Sequence, residues 1–446
     1  MHSRFGKQGK AMPCAHYAHY ALLLLVCLLT ACSPLSGPTT KTTTPTASTQ
    51  AMTQCPGSLS TMQNCYTPYD MRVAYDVEKL TQQGLTGKGQ TIVDIVSYGS
   101  PTLQQDMDVF DKQFGLPAIK LQVLAPLGTV PYDPNNKDMA GWAGETELDV
   151  QIMHAIAPDA HIIVMTSPVD ETEGTIGLPQ FMQLEQYAVA HHLGQVFSQS
   201  YVASEATLSD SASQKFIQQY TNFYQQTTTK DGWTILNGSG DNGATDWANL
   251  SATTLASTPT VNFPADVPWV TAVGGTSLLQ RSNGYNEVAW NGSGGGTSKF
   301  FSEPDFQRTL PVSVQTLLQG RRGIPDVAAD ADPYTGMAFY FAGQWTTTGG
   351  TSASTPLWAA LIAIADQEAG HALGFINPGL YKVEASSPDD FRDIIKGNNN
   401  VDNTNSANGT VKVKGFDAQP GWDAVTGCGS PLASHLIPAL IAALQS

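Results

Sequence analysis

The sequence predicts an α/β protein: one parallel β-sheet covered by helices on both faces and built as a single long domain. Two observations predict it. From about Tyr66 onward, short apolar runs alternate with longer amphipathic ones, and the short runs are apolar on both alternating faces, as strands buried between two helical layers must be. Nothing resembling a linker or an internal repeat interrupts residues 66–446, so one domain accounts for them. The strands in order are "QTIVDIVSYG" (90–99), "HIIVMTS" (161–167), "GQVFSQSY" (194–201) and "GWTILNGSGD" (232–241). Between them, helical periodicity marks "TLQQDMDVFDKQFG", "ETELDVQIMHAIA", "PQFMQLEQYAVAHH" and "SASQKFIQQYTNFYQQ". In such a sheet reactive groups collect at the carboxyl ends of the strands.

Ahead of the domain, residues 1–31 read as an export leader. Arg4, Lys7 and Lys10 precede the short apolar run "ALLLLVCLLTAC", too short to span a bilayer comfortably. "LTAC" (29–32) has the form of a bacterial lipobox, which would leave Cys32 lipidated as the new N-terminus. Residues 32–65 are a tether rich in Ser, Thr and Pro followed by a short loop, in which Cys55 and Cys65 can close a ring in an oxidising compartment. Cys428 is then single and reads as a small core residue. Acidic residues outnumber basic ones by 38 to 22, a formal charge of −16. That excess excludes nucleic acid and anionic membrane as partners, because phosphate repulsion would be unopposed. The expected chain is a monomer at the surface of a bacterial cell, touching the membrane only through its lipid.

Three motifs carry chemistry. In "GGTSASTPLWAA" (349–360), Ser352 stands at the start of a buried helix after a tight glycine entry, with Pro356 in the first turn and helix-start amides facing the oxygen that Ser352 would attack. A serine needs a proton acceptor. The six histidines after the leader (His154, His161, His191, His192, His371 and His435) all sit where structural roles suffice. "GETELDVQIMHA" instead places Glu145 and Asp149 four apart on one helical face, where two carboxylates repel unless they share a proton. The competing reading is an exposed acidic face, with Glu147 as its third member. "GSGDNG" (238–243) ends a strand with Asp241, which when protonated can hold a developing oxyanion.

Together these motifs resemble the sedolisin family of serine-carboxyl peptidases, which have a subtilisin-like fold. The resemblance extends to "LTGKGQTIVDIVSYGSPTL" (85–103), "FPADVPWVTAVGGTSL" (263–278), "EVAWNGSGGGTSKFFSEPDFQ" (287–307) and "GIPDVAADADPYTG" (323–336). It implies Ser352 as nucleophile, Glu145 as general base and acid, Asp149 as its tuning partner and Asp241 in the oxyanion hole. It also implies one structural Ca2+ held by Asp393 and Asp423 with main-chain carbonyls of Ile394, Gln419 and Gly421, oxygen donors that suit a hard cation. Polypeptides are the implied substrates, cleaved internally in acid, with activity falling above about pH 5 to 6 as the carboxyls lose their shared proton. Three positions depart from the family pattern: Gln419 for a glycine, Tyr201 for a tryptophan and Asn242 for a serine. The family's usual long prodomain is missing from the short stretch between Cys32 and the domain. Two other readings remain open: a tripeptidyl-peptidase of the same family, or a proteolytically silent lipoprotein that binds peptides or glycans in the cleft.

Overall fold

The protein's structure, a computed structural model, describes residues 53–61, 65–282, 284–406 and 409–446. The leader, Cys32 and most of the tether lie outside the described residues. Eight strands make the main sheet: β1 (Thr91–Ser97), β2 (Lys120–Leu124), β3 (His161–Ser167), β4 (Val196–Gln199), β5 (Thr234–Gly238), β6 (Thr271–Arg281), β7 (Gly284–Ala289) and β8 (Val327–Asp330). Their spatial order is β8-β6-β5-β4-β1-β3-β2, all parallel, with β7 added antiparallel to β6. Five helices matter for the site: α1 (Leu103–Phe114), α2 (Lys137–Ile156), α3 (Leu178–Ala190), α4 (Ser211–Thr229) and α5 (Thr351–Ala369).

Alternation along β1 divides the core in two. Ile92 and Val96 face one way, into a cluster with residues of α1, α2 and α5; Val93 and Ile95 face the other, into a cluster with α3 and α4. Both faces of the sheet are therefore dry, which is why its strands carry apolar residues at odd and even positions alike.

Two helices differ from their expected form. The acidic helix begins at Lys137, eight residues before Glu145, because Asn136 caps it: its side-chain oxygen accepts from the amides of Asp138 and Met139 at 2.9 and 3.3 Å. The glycines of "GWAG" weaken the helical signal there without preventing the helix. Nor is its acidic face exposed. Glu147 is fully buried; Ser100 donates to Oε1 at 2.7 Å and Gln151 to Oε2 at 3.1 Å, and burial raises its pKa to about 8. The helix packs on the sheet beside α5 and is flanked by α1 and by the helix Pro68–Ala74, so most of its sides must be accommodated by protein.

In α5, Pro356 is the sixth residue and falls in the second turn, one turn later than the sequence suggests. Its missing N–H would have bonded the Ser352 carbonyl. Cys55 and Cys65 are joined in a disulfide, and Cys428 is buried with no disulfide partner among the described residues.

Candidate active site

The chain leaves β1 toward one face of the sheet and β4 toward the other, and at this switch several carboxyl ends open into one crevice. Ser200 directly follows β4, Asp241 lies three residues past β5, and Asp170, Glu171 and Glu173 follow β3. A hollow of about 230 Å³ is lined by Tyr201, Asp241, Asp246 and Ser352, among others. It shares Trp142, Glu171 and Ser200 with a second hollow of about 400 Å³ that Glu145 lines. The two hollows thus adjoin, with Ser352 lining the first and Glu145 the second.

Packing of α2 on α5 brings Glu145 to Ser352. Ser352 is half-buried in the first turn of α5, with Glu145 beside it. The hydroxyls of Ser352 and Ser200 pull the Glu145 carboxyl's pKa down, but neither closes a hydrogen bond onto Oε1, which is buried without a partner. Burial outweighs them, and Glu145 rises to about 7, helped by the charge of Asp241. One turn further into the protein, Asp149 is fully buried: Ser200 donates to Oδ1 at 2.9 Å and Oδ2 has no partner. Its pKa is pushed well up, first by burial and then by Asp94 and Glu145. The two residues do share one face and one environment, as their spacing predicts.

Asp241 meets the helix start. Its Oδ1 accepts from the Thr351 amide at 2.7 Å and from the Thr351 hydroxyl at 3.0 Å. Only glycine fits at position 350, where φ is +102° and a Cβ would stand 2.5 Å from Asp241 Oδ2. The surrounding protein raises the Asp241 pKa, and the hydrogen bonds from Thr351 oppose it; because the residue is open to the cleft, solvent moderates the rise. The helix-start amides are not all free. Thr351 N–H is committed to Asp241 and Ala353 N–H to the Gly350 carbonyl at 2.9 Å, which leaves Ser352 N–H as the first-turn donor with no acceptor among the described residues.

No histidine lines either hollow. His154, the one on α2, is fully buried with Nε2 3.0 Å from both the Pro117 carbonyl and Asp111 Oδ1. The departures from the family pattern also have physical homes. Tyr201 turns its hydroxyl away from the cleft to donate to Glu185 at 2.7 Å, and Asn242 donates to Asp246 at 2.9 Å.

Asp393 and Asp423 converge on one C-terminal segment: Gly421 N–H donates to Asp393 Oδ2 and Gln419 N–H to Asp423 Oδ2, each at 3.2 Å. Neither carboxyl has a cationic partner among the described residues, and burial raises both, Asp423 to about 7. A buried carboxyl, Asp423, and an exposed one, Asp393, meeting on one segment with no counter-charge are a fitting cradle for a divalent cation. No group of three or more His, Cys, Asp or Glu side chains is placed to bind a metal among the described residues, so main-chain oxygens would have to complete the set.

No family model matches the chain. Kumamolisin from Bacillus sp. (strain MN-32) is 32% identical over 398 residues, which span 86% of this chain and 65% of that protein. Tripeptidyl-peptidase 1 from Homo sapiens is 32% identical over 319 residues, 68% of this chain and 52% of that one. The chain therefore spans between half and two thirds of these relatives' length. The solved structure of Pseudomonas sedolisin, a serine-carboxyl proteinase complexed with two molecules of pseudo-iodotyrostatin, matches with a TM-score of 0.68 and 27% identity, covering 84% of this chain and 97% of that one. These homologues support the sedolisin family. The fold, a mostly parallel central sheet flanked by helices in one domain, is that of sedolisin.

Sequence reasoning passed over two residues of this sedolisin-like site. Thr351 holds Asp241 from both its amide and its hydroxyl. Asp94, in the middle of β1, is wholly buried beside the carboxyl pair with neither oxygen partnered. The signal for Asp94 was present: an acid in mid-strand has no wet face to occupy when both faces of the sheet are covered.

Proposed function

We propose that this chain is a serine-carboxyl endopeptidase working through an acyl-enzyme on Ser352. The observation that carries the reading is the half-buried Glu145 carboxyl beside the Ser352 hydroxyl, its Oε1 buried without a partner, with Asp149 behind it and no imidazole in the cleft. Ser352 Oγ bonds to the peptide carbonyl carbon as its proton passes to Glu145. The carbonyl oxygen takes the displaced electron pair and accepts hydrogen bonds from protonated Asp241 and from Ser352 N–H. Glu145 then returns the proton to the leaving nitrogen as the C–N bond breaks, and water repeats the sequence on the acyl-enzyme. The adjoining hollows at Ser352 and Glu145 offer room for an extended polypeptide, which suits internal cleavage over removal of tripeptides.

Opposed ionisations bound the working pH. Glu145 is a base only when ionised, whereas Asp241 donates only while protonated, so kcat/KM is bell-shaped. Both groups, and Asp149 with them, are shifted upward, which carries the alkaline limb above the ordinary carboxylate range while leaving activity to fade in base. Ca2+ bound through Asp393, Asp423 and the carbonyls of Ile394, Gln419 and Gly421 would offset the buried charge of Asp423 and the exposed one of Asp393 and tie the C-terminal loops together. The lipobox at Cys32, the oxidised Cys55–Cys65 pair and the acidic surface support a monomer held by its lipid outside a bacterial cell.

The test is mass spectrometry of products from an unfolded protein across pH, with Ser352→Ala alongside. Internal fragments below neutral pH, lost by at least about 10⁴-fold in the variant, are expected. A ladder of tripeptides would move the reading to an exopeptidase, and an alkaline optimum would overturn the carboxyl mechanism.

A further inference from the structure

We propose that Asp266 is a proton-held latch on one wall of the cleft: protonated, it joins Ser298 and Glu205 across three segments, and ionised, it lets them part. What this means for turnover rests on the peptidase reading above. Glu205 opens a single helical turn (Glu205–Thr207), Asp266 follows the short strand Asn262–Phe263, and Ser298 lies in the strand Gly296–Ser302. All three are buried. The Ser298 hydroxyl oxygen stands 2.7 Å from Glu205 Oε1 and 2.8 Å from Asp266 Oδ2. A hydroxyl has one hydrogen and can give it to only one of them. Two oxygens that close with no hydrogen between them repel, so one of the acids must bring its own proton. Main-chain donors decide which. Lys299 N–H donates to Glu205 Oε1 at 2.9 Å and Oε2 at 3.0 Å, and Phe300 N–H to Oε1 at 3.3 Å. Asp266 receives no main-chain donor among the described residues, and its Oδ1 is buried without a partner. The proton therefore belongs on Asp266 Oδ2, which donates to Ser298 Oγ, which in turn donates to Glu205. The amides of Phe300 and Phe301 fix that oxygen at 3.0 and 2.9 Å.

The charges around Asp266 agree with this assignment. Burial and then the charge of Glu205 push its pKa well up, while Arg322 pulls it down. Arg322 is already engaged, since Asp326 accepts from both its terminal nitrogens, at 2.8 and 2.5 Å. Lys299 turns its ammonium to the Thr260 hydroxyl, 3.4 Å away. Because the pKa is raised on folding, the stabilisation is complete below the ordinary aspartate value of about 3.9 and is lost as pH climbs through the folded value. The segments so joined belong to the cleft. Ser204, beside Glu205, pairs with Asn262, and its N–H donates at 3.0 Å to Glu173, which lines the hollow at Ser352. Asn262 Nδ2 donates at 3.0 Å to the carbonyl of Ser239, two residues before Asp241. Parting the latch thus loosens the wall that carries Tyr201 and the backbone that leads to Asp241.

The experiment compares the full chain with Asp266→Asn and Asp266→Ala between about pH 4 and 9. It records Tm, hydrogen exchange at the Lys299 and Phe300 amides, labelling of Ser352 by a fluorophosphonate probe, and kcat. Asp266→Asn keeps a donor for Ser298 and cannot ionise. Its Tm should match wild type in acid to within about 2 °C and exceed it above neutrality. Exchange protection of the two amides, corrected for the intrinsic rate, should fall by about tenfold or more from pH 5 to 9 in wild type. In Asp266→Asn it should fall by less than about twofold. The variant's kcat in acid should stay within about twofold of wild type. Asp266→Ala keeps the test open if the amide variant misfolds: it loses Tm in acid, where Ser298 lacks its donor, yet shows the same flattened pH dependence. Tm and exchange profiles that run parallel in wild type and both variants would overturn the proposal, because a merely structural aspartate gives that result. Wild-type protein that the probe does not label, with these pH dependences as expected, would remove the peptidase reading and leave the latch standing.

Discussion

Opposite faces of the same sheet each bury a carboxyl, and they treat it in opposite ways. On the α3–α4 side, Glu185 is fully buried and its Oε1 accepts hydrogen bonds from the hydroxyls of Tyr201, Tyr220 and Tyr224 at 2.7, 2.8 and 3.0 Å, with Gln199 donating at 2.7 Å. On the α2–α5 side, Asp94, Asp149 and Glu145 stand together with four of their six oxygens unpartnered. Burial raises the pKa in both places, Glu185 to about 8 and Glu145 to about 7. The shift alone therefore does not mark a reactive group. What distinguishes the two is how many donors gather: four converge on Glu185 Oε1, although its Oε2 has no partner, and so hold helices together, whereas the carboxyls of the other face are nearly bare beside a hydroxyl that can exchange a proton. Asp423 sides with Glu185 in this respect, since its oxygens accept from the amides of Gln419, Val425 and Thr426 and from the Thr426 hydroxyl.

The largest effect that tests this contrast is expected at Glu145. Glu145→Gln keeps the shape but cannot take a proton, so kcat should fall by about 10³-fold or more with the fold intact. A variant retaining a tenth of the wild-type turnover would put the base elsewhere and dissolve the distinction between the two faces.

Next in size is loss of Ca2+ from the Asp393–Asp423 cradle. A cation present at a hundred times its Kd stabilises by about 2.7 kcal/mol, so chelation should lower Tm and added Ca2+ restore it. Unchanged Tm on chelation and on Ca2+ titration would argue that the two loops carry no ion.

Glu185 sharpens the comparison with the smallest effect. Its pKa is raised on folding, so its stabilising contribution is present below about pH 4.5 and is lost as pH climbs toward 8. Glu185→Gln mimics the protonated form and should flatten the pH dependence of stability across that window by at most about 1.4 kcal/mol per pH unit. Its kcat/KM per folded molecule should stay within about twofold of wild type. A catalytic loss as large as that of Glu145→Gln would mean that donor-rich and donor-poor carboxyls do not differ in the way described.

Much of this was legible without coordinates, and the omissions have a common cause. Strand-helix alternation declares the layered sheet, and the four-residue interval declares that Glu145 and Asp149 share a helical face. Glu147 misled because a helix buried on most of its sides has no pattern by which to rank its acids. Asp94 went unnoticed because a single acid in "TIVDIVS" resembles an ordinary interruption until one knows what stands over it. Likewise, Thr351 reads as a loop filler beside Ser352, although its amide and hydroxyl together hold Asp241.

By itself the sequence determined the elements and their chemistry: which stretches become strands, where the serine sits at a helix start, and that no histidine was placed to serve it. Those follow from periodicity and local spacing, which act over a few residues. Only the tertiary structure decided which acids meet. Asp94, Glu145, Asp241 and Ser352 come from four elements far apart in the chain, and their proximity depends on how α2 and α5 pack over one face of the sheet. Desolvation, which turns ordinary carboxyls into proton-sharing ones, exists only after that packing is complete.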